Sequence, residues 1–232
     1  MAGVVKSKMT EMKVLSFWQI SILVSLLAII LSGCETPKPQ ADFSVPIPPE
    51  KKKAELKESL KRNFEDSQTH FLLGQLYHAD KAWDDAEYEY NLALRFNPTY
   101  RPAEAAMIKL QVDRGDNLKA QHYFEIYMNQ AGDSPKKLVD LATNLQQQNV
   151  DTYALKCFQK ALDIAPNSAM VHKYMGYFYL SKNNKEKAKE YFENSYKLDA
   201  NQPDVALELG KLGVPIVYDA AKAPEKTPEA QK

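Results

Sequence analysis

The side chains of this 232-residue chain that could do chemistry are four histidines, two cysteines and the acids Asp84, Asp85 and Glu87. A zinc hydrolase would set two histidines one helical turn apart around a glutamate, so that ligands and base share a helix face. A phosphate loop would spend glycines to bring backbone amides against the anion, and a serine hydrolase would carry its nucleophile in Gly-x-Ser-x-Gly. None of these patterns occurs. Asp84, Asp85 and Glu87 fall where a helix is expected to open, and carboxylates there favour the positive end of its dipole. They need no metal. Arg114-Gly115-Asp116 spells an adhesion tripeptide but falls at an expected inter-helix turn that needs its glycine. Cys157 precedes Phe158 on an expected helix and reads as a small buried hydrophobe. The residues predict no catalytic site, no cofactor, no metal, and hence no enzyme.

The other cysteine, Cys34, follows a different kind of segment. Residues 1–13 carry Lys6, Lys8 and Lys13 against Glu11, and residues 14–31 read VLSFWQISILVSLLAIIL. A basic stretch before an apolar run is the layout of a secretory signal. Eighteen residues is also the lower limit of a spanning helix, so an uncleaved anchor is the alternative. Met12 would open a more ordinary signal than Met1 or Met9. Leu31-Ser32-Gly33-Cys34 resembles the bacterial lipobox. That resemblance to bacterial lipoproteins implies cleavage before Cys34, a lipid on its thiol and a place in the cell envelope. Glu35, where aspartate would retain the protein at the inner membrane, favours the periplasmic face of the outer membrane. A lipidated Cys34 leaves Cys157 without an intramolecular disulfide partner. Residues 1–33 are thus a signal peptide, and 34–49, with five prolines, a tether of about 45 Å in extended form. The precursor has 30 basic and 30 acidic residues; without residues 1–33 the balance is 27 to 29, a net charge of −2. A general nucleic-acid binder would show a basic excess.

Beyond the tether the chain repeats. Windows of 34 residues at 67–100, 101–134, 135–168 and 169–202 align without insertion. Position 7 holds Leu73, Met107, Leu141 and Met175, and position 8 holds Gly74, Ile108, Ala142 and Gly176. Position 20 is Ala86, Ala120, Ala154 and Ala188; position 24 is Tyr90, Phe124, Phe158 and Phe192. His70 and His172 both occupy position 4 and read as packing residues. Positions 4, 7, 8 and 11 share one face of a first helix, and 20, 24 and 27 one face of a second. Small residues at 8 and 20 let the two helices approach. Pro98, Pro102, Pro135, Pro166 and Pro203 all fall at helix junctions, where proline is tolerated. The pattern resembles the tetratricopeptide repeat, W-x₂-L-G-x₂-Y…A-x₃-F…P. It implies an all-α fold, a right-handed superhelix or α-solenoid of about four helix-turn-helix repeats. The expected helices are 68–80, 84–96, 102–114, 118–130, 135–148, 152–164, 169–182 and 186–198. A capping helix is expected within 50–66 and another within 203–213, followed by a disordered tail, 214–232. The second window departs from the pattern at Glu104, Ile108 and Gln111.

In that family the first helix of each repeat lines a binding groove, mainly through positions 2, 5, 6, 9, 12 and 13. Carried onto this sequence, the lining is Phe71, Leu72, Gln75 and His78, then Ala105 and Lys109, then Val139, Thr143 and Gln146, then Lys173, Tyr174 and Tyr177. Tyr174 and Tyr177 could instead pack on the last helix. Such a lining suits a protein or peptide with a few apolar anchors. The carboxylate clamp of the chaperone-binding subgroup is not reproduced: Phe71, Gln75, Ala106 and Asp140 stand where it needs lysine, asparagine, asparagine and arginine. The resemblance implies a lipid-anchored periplasmic scaffold for protein partners, with neither nucleic acid nor metal as ligand. Repeat lipoproteins of this size include pilotin-type assembly factors of type IV or Tad pili and secretins. An adaptor for cell-wall hydrolases or proteases, a subunit of the outer-membrane insertion machinery and an enzyme are the alternatives.

Overall fold

Helix ends in this chain are written every 34 residues. In each window the backbone turns left-handed at position 15: Lys81 (φ 60°), Gly115 (φ 87°), Asn149 (φ 59°) and Asn183 (φ 55°). The N–H of the next residue then reaches back five residues, from Ala82 to Tyr77, Asp116 to Gln111, Val150 to Leu145 and Asn184 to Tyr179, at 2.8–3.0 Å. This is the Schellman closure, which satisfies carbonyls that the helix end leaves without partners. Gly115 is thus the turn residue its tripeptide context suggested. Second signals start the helices. The side chains of Asp66, Asp116, Ser134, Ser168 and Asn184 each accept a hydrogen bond from a backbone N–H of the first turn.

The computed structural model describes residues 48–215. Among them are ten helices and no strand: α1 (Pro49–Arg62), α2 (Ser67–Ala79), α3 (Trp83–Phe96), α4 (Arg101–Arg114), α5 (Asn117–Ala131), α6 (Pro135–Gln147), α7 (Asp151–Ile164), α8 (Ala169–Ser181), α9 (Lys185–Leu198) and α10 (Pro203–Lys211). Every end of the eight repeat helices lies within one residue of the expected one, whereas α1 starts one residue before the expected 50–66 and stops at Arg62, four residues short of it. The signal, Cys34, the tether up to Ile47 and the tail from Ile216 lie outside the described residues. No described helix is long and apolar enough to cross a membrane.

Packing follows the periodicity. Helices pair as α2–α3, α4–α5, α6–α7 and α8–α9, and each pair touches its neighbours through α2–α4, α4–α6 and α6–α8 on one side and α3–α4, α5–α6 and α7–α8 on the other. α1 closes one end against α2, and α10 packs on α9 at the other. The result is the expected α-solenoid. Positions 7, 20 and 24 are all buried. Position 8 shows why small residues belong there: a Cβ on Gly74 would lie 2.6 Å from the Tyr90 ring, and one on Gly176 2.5 Å from Phe192.

The second pair breaks this rule and packs differently. Ile108 occupies position 8, and the α4 and α5 backbones approach less closely than in the other pairs. The freed space is filled by polar side chains. Glu104, fully buried, pairs with Arg101, and Gln111 is also fully buried. Burial raises the Glu104 carboxyl, and the Arg101 guanidinium only partly offsets it.

Candidate functional site

The first helices of the pairs touch in sequence, so α2, α4, α6 and α8 make one continuous face backed by the second helices. Three of the expected lining residues belong to the core rather than to this face. Phe71 is only 8% exposed, with its ring edge-on to Tyr100 at 5.4 Å and tilted on Tyr90 at 6.0 Å. Ala105 and Val139 are buried as well. The physical reason at Phe71 is that Tyr100, the last residue of the same window in the loop between α3 and α4, covers the ring together with Tyr90.

The remaining residues are on the face, but most are engaged within the protein. Asp113 collects two of them. His78 donates from Nε2 to one carboxylate oxygen at 3.0 Å, and Lys109 pairs with the other. The His78 ring also stands edge-on to Trp83 at 5.6 Å. Asp204 collects two more: the Lys173 ammonium at 3.1 Å and the Tyr177 hydroxyl at 3.1 Å. Burial would raise the Asp204 carboxyl, but Lys173 and Tyr177 outweigh it and hold it below its ordinary value. Burial, and then Asp204 itself, push the Tyr177 hydroxyl up to about 12. The Tyr177 ring packs edge-on to Phe192 at 5.0 Å, so it docks on the last helix pair and on α10. Thr143 donates to the Val139 carbonyl at 2.8 Å, and the Gln146 amide donates to the Ser181 hydroxyl at 2.8 Å. Leu72 is half-buried between α1 and the core. Gln75 is exposed and Tyr174 half-exposed, which leaves these two best placed to meet another molecule. Beside Tyr174 a shallow cleft of about 400 Å³ opens between α8 and α10, lined by Met170, Lys173, Tyr174, Gln202, Pro203 and Asp204.

Sequence reasoning missed Asp113 and Asp204, the two carboxylates that organise the face. The signal was present: opposite or complementary side chains about one repeat apart. The same spacing produces ties along the helix ends, Arg114 to Asp84 and Lys182 to Asp151. The first and second pairs are joined by His78–Asp113, by Arg114 on both Asp84 and Glu87, and by Lys119 and Tyr123 on Glu87, and the third and fourth by Gln146–Ser181 and Lys182–Asp151. Among the described residues no side-chain hydrogen bond or ion pair crosses between the second and third pairs; Phe124 on Tyr153, ring centroids 4.7 Å apart, represents that seam.

The packing histidines have a role of their own. His70 Nε2 lies 2.8 Å from the Phe64 carbonyl and His172 Nε2 2.8 Å from the Pro166 carbonyl, equivalent atoms three repeats apart. His70 Nδ1 meets Glu89 at 2.7 Å. Each ring therefore pins the loop that precedes its repeat. Cys157 is fully buried, and burial pushes its thiol up to about 12, which leaves it protonated and unreactive. Among the described residues no three histidines, cysteines or acids come together as a metal site would require.

The tetratricopeptide repeat family model matches residues 175–202, most of the fourth window. Solved structures of tetratricopeptide-repeat proteins are similar to this chain. PilF of Pseudomonas aeruginosa is 23% identical, over 69% of this chain and 68% of its own, with a TM-score of 0.35. YrrB, described as a tetratricopeptide-repeat protein with an unusual peptide-binding site, is 18% identical over 70% of this chain and 84% of its own, with a TM-score of 0.37. MamA from Desulfovibrio magneticus RS-1 is 16% identical over 79% and 96%, with a TM-score of 0.34. No curated protein matches the sequence.

Proposed function

We propose that this chain is a lipid-anchored scaffold of a bacterial envelope, held by Cys34 at the periplasmic face of the outer membrane. It would present the face of α2, α4, α6 and α8 to a protein or peptide partner. The observation that carries the binding role is the stacking of four first helices into one face whose charges are already paired. Asp113 and Asp204 hold their cations in place, so the face is pre-shaped, and a partner meets fixed polar groups around Gln75 and Tyr174 rather than mobile ones. Fixed groups lower the ordering cost of association. The anchor rests on Leu31-Ser32-Gly33-Cys34 behind an apolar run. The role is one of holding a partner, not of catalysis, and nucleic acid is not its ligand, in keeping with the near-neutral charge of the chain. Within this reading, assembly of a pilus or secretin is the narrower assignment, and it rests on resemblance among repeat lipoproteins.

Two experiments test the proposal. Palmitate labelling of cells should mark the protein and should vanish in Cys34→Ala; labelling that persists removes the anchor. Photo-crosslinkers placed at Gln75 and at Tyr174 in intact envelopes should capture the same partner, while one at Glu190 on the opposite side should not. Equal capture from all three positions would refute the assigned face. A captured pilin or secretin would support the narrower assignment, and a captured cell-wall hydrolase would replace it.

A further inference from the structure

Between the second and third pairs the solenoid has a cleft where its other seams have bonds. At those seams, positions 12 and 17 carry side chains that bond or pack. At position 12, His78 reaches Asp113 and Gln146 reaches Ser181. At position 17, Asp151 pairs with Lys182, and Trp83 stands edge-on to His78 at 5.6 Å. In the second pair the same positions are Val112 and Asn117. Both line an opening of about 390 Å³ whose far wall is Asn149, Asp151, Tyr153 and Lys156 of the third pair. That is the small end of the range for ligand sites, with room for a short stretch of chain.

The walls state what they would accept. Asp151 Oδ2 takes Lys182, but Oδ1 is buried with no hydrogen-bond partner among the described residues. A buried acceptor left without a donor is costly, so this side of the cleft calls for an N–H. The Lys156 ammonium makes the opposite demand. It stands 5.3 Å from the centre of the Tyr153 ring and 5.7 Å from that of Phe124, which holds it at the rim. Among the described residues no carboxylate pairs with it. Of the acids nearby, Asp151 is matched by Lys182, and Glu125 accepts from the Gln121 amide. The Asn117 and Asn149 amides can each donate and accept, and Val112 and Tyr153 add apolar surface. An N–H, a carboxylate and an apolar side chain occur together in a short extended peptide.

We propose that this cleft is a second binding site, for an extended segment of a partner protein that carries an apolar side chain next to an acidic one. A main-chain N–H of the segment meets Asp151, its carboxylate meets Lys156, and its apolar side chain lies on Val112 and Tyr153. The site uses neither Gln75 nor Tyr174, so it stands or falls apart from the face assigned above.

Fluorescence polarisation with the full chain provides the test. The probe is the fluorescein-labelled hexapeptide GLELEG, with GLKLKG as its charge-reversed control. GLELEG should bind and GLKLKG should not. Lys156→Glu should weaken GLELEG about tenfold, the loss of one charge-assisted bond, and should admit GLKLKG. Asn117→Trp, which gives this seam the residue that the first pair carries at position 17, should abolish binding by filling the cleft, with helicity unchanged. Absence of GLELEG binding to the parent overturns the proposal, and so does undiminished binding in Lys156→Glu, an exposed position whose variant keeps the fold. Sedimentation that shows self-association in the parent and none in Asn117→Trp would assign the cleft to a second copy and overturns it as well.

Discussion

Lys81 is the only one of the four left-handed turn residues that is neither glycine nor asparagine. A side chain with a Cβ costs roughly 1 kcal/mol in that conformation, and asparagine is better tolerated than lysine. Lys81 is exposed and its side chain is not needed for the turn. Lys81→Gly should therefore raise unfolding free energy by about 0.5–1 kcal/mol in urea melts, and a loss would mean the side chain is used. Gly176→Ala should do the reverse. Its new methyl would meet the Phe192 ring at 2.5 Å, and overpacking of this kind costs about 1–3 kcal/mol. Only part of this was legible in the sequence. Gly74 and Gly176 were, because they recur at a fixed position opposite an aromatic. Phe71 was not, because its burial comes from Tyr100 in the loop that leads into α4, and position alone says nothing of how a loop folds over a helix. Asp113 and Asp204 were missed because His78, Lys173 and Tyr177 lie about one repeat from them, although Lys109 stands only one helical turn from Asp113.

At the scale of elements, α2 shows how one cap links charge to folding. Asp66 accepts from the Thr69 hydroxyl at 2.6 Å and from the Gln68 N–H at 3.0 Å. The Thr69 hydroxyl first, and then the backbone amides, hold its carboxyl below the ordinary aspartate value against the opposing effect of burial. A depressed carboxyl stabilises the fold fully above the unfolded-state value of about 3.9, and that contribution is lost as pH falls through the lower folded value. Asp66→Ala should cost about 1 kcal/mol at neutral pH. The gap between variant and parent should narrow as pH falls below the unfolded-state value of about 3.9 and close once the folded carboxyl is protonated, as followed by helicity in acid titrations with urea. A gap that is constant with pH would mean the carboxylate does not act through its charge. Helix ends were the most readable level of this protein, because prolines, caps and turn residues repeat with the core pattern. The second pair was the least regular, since Ile108 holds α4 and α5 apart and the Arg101–Glu104 pair fills a space that the pattern assigns to an aromatic.

For the whole molecule, the exact register has a consequence for deletion. Excising residues 135–168 joins Ser134 to Ala169, and Ser134 and Ser168 are equivalent caps. Each pair touches only its neighbours, so stability is a sum of local and interface contributions. The shortened chain should remain helical and unfold cooperatively at a lower temperature; loss of helicity on circular dichroism would show that the third pair is indispensable. The seam between the second and third pairs has a mechanical meaning. Its neighbouring seams are cross-linked by directional bonds such as His78–Asp113 and Gln146–Ser181, which resist sliding. Apolar contact is non-directional and lets surfaces slip past one another at small cost. Torsional compliance should therefore concentrate where Phe124 meets Tyr153, dividing the solenoid into two stiff blades, α1–α5 and α6–α10. Spin labels on α5 and α7 should give a broader distance distribution than labels on α3 and α5, and equal widths would exclude it. A solenoid built this way bends at one place, and its curvature is set by whatever grips both blades at once.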